Sequence, residues 1–567
     1  MVVTPFRPRA ITCAVVIAAA TARAQQSTPE IVLPLKHTPH ATTPAISAAD
    51  LMTRLYIFAD DSMLGRAPST LGERRATAYL ERELRRLGLR PAGENGGYVQ
   101  AVPLVHRVVS ARSALSVDGV HLVLWTDFAA RERPDFAPGP AYQPFAATLV
   151  VFGGPYGDTT RWISAEAAAG KAVLLTRRAG DPLVLSERFA SAAAVIFDDF
   201  ETWLQSGVAP WRQPRAFLSP ESGRHLDRAA LRIHVTQAVA QRLFGGARPE
   251  TLRPGAQGRT LSGLVAFDDS PAPARNVVAL LPGLDPHRRG EYVALTAHHD
   301  HLGYNHGPVD SDSLHAFRTE LERRVPGAAD GAPVLPELLA TIRVNVDSLR
   351  HLRPARSDSI YNGAEDDGSG SVALLEIAEA LAAPKARPAR SVLFVWHAAE
   401  ELGLLGASWY TDHPTVPRDS IVAAINVDGF GRWTASHYRG GRGPRTEVIG
   451  ARRLSTELGD LVERVNDATR HPLLLDYTSD APGHPDQMYC RSDHYMYARY
   501  GIPSVFVTDP GYPDYHMVSE EPQYIDYSGF AYATQFVHDL VLRVANAVRR
   551  PAVDRPRPAD PNAACVQ

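Results

Sequence analysis

The chain is poor in cysteine, in lysine and in net charge. Three cysteines in 567 residues cannot build a disulfide scaffold, so the fold is expected to stand on a packed core. Lysine occurs only at Lys36, Lys171 and Lys385, arginine carries the rest of the positive charge, and there are 45 prolines. This is a composition bias, not a binding patch. With 59 basic and 62 acidic residues the formal charge is -3, which offers no basic field to nucleic acid. Long apolar runs are missing too: apart from a short one at the N-terminus, none approaches the roughly 20 residues of a membrane span. What remains is ordinary globular usage, 45% hydrophobic and 21% charged, which excludes a wholly disordered, collagen-like or coiled-coil chain. At roughly 100–200 residues per domain, the length implies two or three domains.

The N-terminus has the order of features of an export signal. Arg7 and Arg9 precede a short apolar stretch from Ala10 to Thr21, and Ala22-Arg23-Ala24 forms a small-x-small cleavage site. Residues 1–24 are therefore expected to be removed on export to the periplasm or the medium. That would leave 56 basic residues and only Cys490 and Cys565. A Pro/Thr-rich linker is expected over 25–45. A helical stretch from Ala48 to about Leu89 belongs to the segment 46–114. Over 115–262 short β runs (Ala147–Phe152, Lys171–Thr176, Ser191–Ile196) alternate with loops and carry no catalytic-looking cluster. This reads as an inserted, mainly β domain. The last residues, 550–567, are Pro/Arg/Ala-rich and expected to be a disordered tail.

From 263 to 549 strand-length apolar runs alternate with helical patterns, the signature of a mostly parallel or mixed sheet flanked by helices, an α/β domain. Strands are expected at Val277–Leu281, Tyr292–Thr296, Ser391–Trp396, Ile421–Ile425 and Ser504–Thr508. Helices are expected at Ser371–Ala383, Leu404–Asp412, Arg453–Ala468 and Ser528–Val548. Ligands of open α/β sheets bind beyond the carboxyl ends of the strands. There the sequence places His298-His299-Asp300-His301, His397 with Glu400-Glu401, Asp428 and Tyr515-His516, while Glu365-Asp366-Asp367 precedes a helix. Each cluster alone has a plain structural reading as a turn, a cap or a solvated face. Together on one rim they imply a cation, because buried unpaired carboxylates repel one another.

Seven segments carry a family resemblance: Ala297-His-His-Asp-His-Leu-Gly303, Asn362-Gly-Ala-Glu-Asp-Asp-Gly-Ser-Gly370, Ala399-Glu-Glu-Leu-Gly-Leu-Leu-Gly406, Ile425-Asn-Val-Asp428, Arg491-Ser-Asp-His494, Gly501-Ile-Pro503 and Tyr515-His516. In their order and spacing the chain resembles the co-catalytic di-zinc aminopeptidases, whose relatives include glutamate carboxypeptidase, glutaminyl cyclase and transferrin receptor. The resemblance covers about 46–115 and 263–548 and implies the zinc exopeptidase fold. More loosely, Ala169-Gly-Lys-Ala-Val and Ala192-Ala-Ala-Val-Ile resemble the protease-associated (PA) domain, which implies that 115–262 is one.

Carried over by position, the resemblance implies two zinc ions, with manganese or cobalt as substitutes. His298 and Asp428 would hold one, Glu401 and His516 the other, and Asp366 would bridge. Glu400 would be the general base for the attacking water, since neighbours on an extended segment point apart and Glu401 faces the metal. Asp300 would orient His298, and Tyr489 matches a tyrosine that stabilises the oxyanion in some relatives, with a packing role an equal alternative. The implied activity is release of N-terminal amino acids from peptides. A carboxypeptidase or dipeptidase, a glutaminyl cyclase-type acyltransferase and, last, a binding-only protein are the alternatives. The chain departs from the pattern in a polar, helical insert over 303–361, expected to cap or decorate the site mouth, and in extra histidines at 299, 301, 397 and 494. Neither Gly-x-Ser-x-Gly nor His-Glu-x-x-His occurs, which disfavours serine hydrolase and single-zinc readings. Peptides are the expected partners; the sequence leaves side-chain preference and oligomeric state open.

Overall fold

The structure is a computed structural model that describes residues 34–131, 141–178, 188–205, 212–219, 230–325, 327–328, 334–344, 346–352, 354–438, 440–563 and 565–567. The expected signal at 1–24 and the linker up to residue 33 lie outside the described residues. From Pro34 the linker is held against the rest of the chain. Tyr56 donates to the Pro34 carbonyl at 2.6 Å, Thr42 donates to Glu379 at 2.6 Å, and His40 meets Asp50 at 2.8 Å.

Nine strands form the larger α/β sheet. In spatial order they are Arg90–Pro91, Ala274–Leu281, Ser391–His397, Tyr292–His298, Ile421–Val427, Ser504–Thr508, Arg445–Ile449 and Leu474–Asp476, with Val99–Val102 also on Ala274–Leu281. The four central strands run parallel, and both margins join antiparallel. All seven residues of Ser391–His397 are buried. Their alternation feeds two cores: Val392, Phe394 and Trp396 join the helices Ala48–Phe58, Gly368–Ala382 and Tyr527–Asn546, while Leu393 and Val395 pack with Tyr410 and Tyr497 on the opposite face. Gly368–Ala382 is buried along nearly its whole length, and its two buried glutamates, Glu376 and Glu379, are met by Arg54.

A second sheet of ten strands runs from Leu104–Val109 to Gln257–Pro271 and has its own core. Sheet membership thus moves the expected boundaries of 115 and 262 outward. Leu104–Val109 pairs with Gln257–Pro271, and no change of composition marks that junction. The insert at 303–361 begins and ends in an antiparallel pair, Gly303–Asp310 with Ser357–Tyr361, so both of its ends return to one place. Between them lie helices Ser311–Arg324, Pro336–Leu339 and Asp347–Leu352. Among the described residues, no helix is long and apolar enough to cross a membrane.

The expected disordered tail is a correction. Cys490 and Cys565 form a disulfide, and the segment before it lies along the α/β domain: Ala552 donates to Glu457 at 3.0 Å and Asp554 accepts from Thr456 at 2.9 Å. A tail made of Pro, Arg and Ala has no core of its own to advertise. Its order comes from the body it lies on.

Candidate metal centre

The parallel strands bring their carboxyl ends to one edge. Tyr292–His298 ends in His298, Ile421–Val427 delivers Asp428, and Ser391–His397 runs into the turn that holds Glu400 and Glu401. Asp366 sits just ahead of the helix Gly368–Ala382, whose N-cap is Asp367 with Gly370 N–H donating at 2.8 Å. His516 comes from the loop beyond Ser504–Thr508. Ala399 and His516 both hold left-handed backbone, at φ 57° and 58°, a conformation that non-glycine residues adopt at a cost. The first lies directly before Glu400, where the chain turns; the second is itself a site residue.

Two groups share Asp366. His298 Nε2 lies 3.0 Å from Asp366 Oδ1 and 3.4 Å from Asp428 Oδ1. On the other side His516 Nε2 lies 2.8 Å from Asp366 Oδ2 and 3.0 Å from Glu401 Oε2. The two oxygens of one carboxylate therefore face different histidines. Glu400 points to the first group, its Oε2 3.9 Å from His298 Nε2. The adjacent glutamates diverge as the sequence suggested, though from a turn and not from extended chain.

Polar contacts fix these side chains. Ser492 donates to Asp428 at 2.6 Å; it accepts from Asn426 at 2.8 Å, which in turn accepts from Thr296 at 2.6 Å. Glu520 accepts the amide protons of Glu365 and Asp366, at 3.0 and 2.8 Å. Arg66, fully buried, donates to the carbonyls of His299 and Gly363 at 2.9 and 2.7 Å. Asp300 has a divided role. Its backbone oxygen is 3.2 Å from His298 Nδ1 and its carboxylate 3.7 Å, while that carboxylate accepts from Glu400 N–H at 3.1 Å. The residue expected to orient His298 thus also seats the turn that carries Glu400.

The donor set fits metal ions. Nε2 of His298 and of His516 is buried with no hydrogen-bond partner among the described residues, although carboxylate oxygens lie within 3.4 Å of both. Nitrogens that face oxygens without donating to them are placed as co-ligands of a cation. Electrostatics agree. Burial opposes charge on His516, yet the facing carboxylates of Asp366 and Glu401 push it up to about 11. Burial tends to raise Asp366, but His298 and His516 hold it well below the usual carboxylate range. Burial lifts Glu400 well above that range; His298 pulls against the rise, and Asp428, Asp493 and Glu401 add to it. Positive charge is what the cluster lacks, and imidazole with carboxylate suits zinc, manganese or cobalt.

Among the expected residues, His298, Asp300, Asp366, Glu400, Glu401, Asp428 and His516 come together, and Tyr489 does not. Tyr489 is 6% exposed in an apolar cluster with Leu404, Ile449 and Tyr495, under Arg453 at 4.7 Å. It does not line the cavity of about 180 Å³ that opens beside Asp366, Glu400 and Asp428; Tyr512 and Tyr515 do. Tyr515, stacked on His516 at 3.9 Å, was adjacent to an expected ligand and could have been singled out. His301 was left among the extra histidines, yet its Nδ1 is 2.6 Å from Glu401 Oε1 and 3.9 Å from Asp366 Oδ2. Gly363 permits that approach: at φ 51°, a Cβ there would stand 2.6 Å from the His301 ring. The others are structural: His299 bonds the Arg275 carbonyl, His397 bonds Asp493 and Tyr497, and His494 packs on Phe506.

The insert is tied to the segment that carries His516. His315 meets Asp514 at 2.6 Å and stacks on Tyr524 at 3.8 Å. Arg318 donates to the Pro513 carbonyl at 2.8 Å, and Arg356 to Glu521 at 2.8 Å. It therefore grips both flanks of the segment that carries His516 and Glu520.

Residues 276–541 match the model of Peptidase family M28. Leucine aminopeptidase 1 of Coccidioides posadasii (strain C735) is 31% identical over 154 residues, 26% of this chain and 36% of that protein. Leupeptin-inactivating enzyme 1 of Streptomyces exfoliatus is 39% identical over 77 residues, 13% of this chain and 18% of that protein. The chain thus spans about a third or less of these two relatives. An aminopeptidase from Aneurinibacillus sp. strain AM-1 superposes over 90% of this chain and 98% of its own, with a TM-score of 0.48 and 15% identity.

Proposed function

We propose, from the match of residues 276–541 to the model of Peptidase family M28, that the protein is a zinc-dependent aminopeptidase that removes N-terminal residues from peptides. The observation that carries this is the sharing of Asp366 between His298–Asp428 and Glu401–His516. His298 and Asp428 would hold one ion, Glu401 and His516 the second, with Asp366 between them and His301 beside Glu401. Two such ions, when bound, polarise the scissile carbonyl and stabilise the charge of the hydrolytic transition state.

The rest is the work of this chain. Glu400 takes the proton of the attacking water on its carboxylate and passes it to the leaving amine. Its raised proton affinity suits a group that must both accept and return a proton. Asp300 holds Glu400 and His298 in mutual register, and Ser492 does the same for Asp428. Tyr515, in the cavity wall, replaces Tyr489 as the hydroxyl within reach of a developing oxyanion. The carboxylates left at the rim suit the ammonium of a free N-terminus. The second sheet reads as a PA domain with no part in the chemistry. Export to the periplasm or medium follows from the leader, and the Cys490–Cys565 disulfide supports an oxidising destination.

The test is hydrolysis of aminoacyl anilides beside N-acetylated and C-terminal substrates, with metal analysis on the same sample. An aminopeptidase cleaves the free-amine substrates and spares the acetylated ones. Equal cleavage of both, or cleavage only from the carboxyl end, overturns the reading in favour of an endo- or carboxypeptidase. Cyclisation of an N-terminal glutamine peptide without hydrolysis favours the acyltransferase.

A further inference from the structure

We propose that the cavity beside the metal centre selects a cationic side chain on the N-terminal residue of the substrate, with Glu447 as its counter-charge. The inference rests on the aminopeptidase reading and names the substrate class of that same site.

Strand register puts Glu447 in the wall. Arg445–Ile449 pairs antiparallel with Ser504–Thr508, so that Glu447 stands opposite Thr508 and Ile449 opposite Phe506. Directly opposed residues share a face of the sheet, and Phe506, Thr508 and Glu447 all line the cavity. Glu447 is 8% exposed. Its nearest cation, Arg445, is 4.0 Å away, beyond hydrogen-bond range, and is committed to Asp476 at 2.6 Å. Burial pushes the Glu447 carboxyl up to about 7, against a hydrogen bond from Ser479. A buried carboxylate so poorly matched in charge is costly unless a cation reaches it.

The remaining wall fits the stem of such a cation. Met488, Phe506, Pro510 and Tyr515 present apolar surface, along which the methylenes of a lysyl or arginyl side chain pack while the head stays paired. Asp509 adds negative field at the same wall, but its own oxygens are engaged by the amide protons of Arg432 and Gly511, at 3.0 and 3.2 Å. Asp486 also lines the cavity but is half exposed and lies 3.6 Å from His484, so outside the metal centre Glu447 is the buried carboxylate left for a ligand. Tyr512, also in the wall, is 5% exposed and its hydroxyl has no partner among the described residues, so the cavity offers a second polar group to an occupant. Arg491 is the cation of the lining and is exposed at its edge. An apolar side chain would leave Glu447 unmatched, and an acidic one would be repelled.

The experiment compares kcat/KM for lysyl, arginyl, leucyl and glutamyl anilides in the metal-loaded protein and in Glu447→Gln and Glu447→Leu, with metal content and thermal unfolding as fold controls. The wild type should favour lysyl and arginyl over leucyl substrates and reject glutamyl ones. In both variants the lysyl-to-leucyl ratio should fall by at least roughly 30-fold, the lower end for truncating one partner of a buried charge pair. A wild type that prefers leucyl substrates, or variants that lose both activities equally, overturns the inference and leaves the aminopeptidase reading standing. A wild type that cleaves no free-amine anilide overturns both. The wild-type preference decides the matter even where a variant fails to fold.

Discussion

Replacing Cys490 and Cys565 together by serine opens a covalent loop that spans 75 residues of sequence. In chain-entropy terms, closing a loop of that length removes unfolded-state freedom worth roughly 4 kcal/mol. The hydrogen bonds of the tail, each worth about 0.5–1.5 kcal/mol net, act in the folded state and are present with or without the disulfide, so they do not restore the lost restriction of the unfolded chain. The effect should also be local. The terminal residue, Gln567, accepts from Tyr489 N–H at 2.9 Å and donates to the carbonyls of Ser479 and Ala481, at 3.0 and 3.1 Å. Ser479 and Met488 belong to the cavity wall, so freeing the tail loosens the wall while leaving the metal residues on their strands. Urea unfolding followed by tryptophan fluorescence should show a loss of about 4 kcal/mol in the double variant. KM should rise and the metal content should hold. An unchanged unfolding midpoint, or lost metal with unchanged KM, would refute this account of the tail.

Other consequences concern the centre itself. Glu400→Gln should keep metal and substrate affinity and lose on the order of 10²–10⁴-fold in rate, whereas Glu401→Gln should lose metal, because a neutral amide is a poorer ligand; kinetics with elemental analysis separates them, and the reverse pattern would mean that the two roles are exchanged. Arg356→Ala with His315→Ala removes two of the contacts by which the insert grips the segment carrying His516, and metal loss to a chelator should quicken in a protein that stays folded; an unchanged rate would show that the insert does not hold that segment. Gly363→Ala adds a Cβ against His301 at φ 51°, so it should disturb metal retention as well as cost the roughly 1–2 kcal/mol of left-handed backbone; retention equal to wild type would show that His301 has no part in the site.

The four parallel strands and Ala274–Leu281 were legible because they are continuous apolar runs, whereas Arg90–Pro91, Val99–Val102, Arg445–Ile449 and Leu474–Asp476 were not expected. Ser504–Thr508 falls where the sequence placed it, and Ile421–Val427 extends the expected run by two residues. His298, Glu400, Asp428 and His516 were legible for a related reason: they follow strand ends, where a parallel sheet collects its polar side chains. Tyr489 misled because a motif position fixes a place in the chain and not the direction of a side chain, and Arg453 and His494 draw its ring into packing. The contact of His301 with Glu401 was not legible because it depends on the backbone at Gly363. The grip of the insert joins His315 to Asp514 across 199 residues, a separation that leaves no local pattern. The disulfide was not expected for a different reason: two cysteines were read only as too few for a scaffold, although they are the one pair left once the leader is removed.

The measurement that bears most directly on the central claim is the metal content of active protein beside that of Asp366→Asn. If Asp366 holds both ions, elemental analysis of fully active wild type gives two per chain, and Asp366→Asn loses both sites together along with most of the activity. A single tightly bound metal in fully active wild type, or an Asp366→Asn protein that keeps one site at full occupancy, would contradict the shared-carboxylate centre.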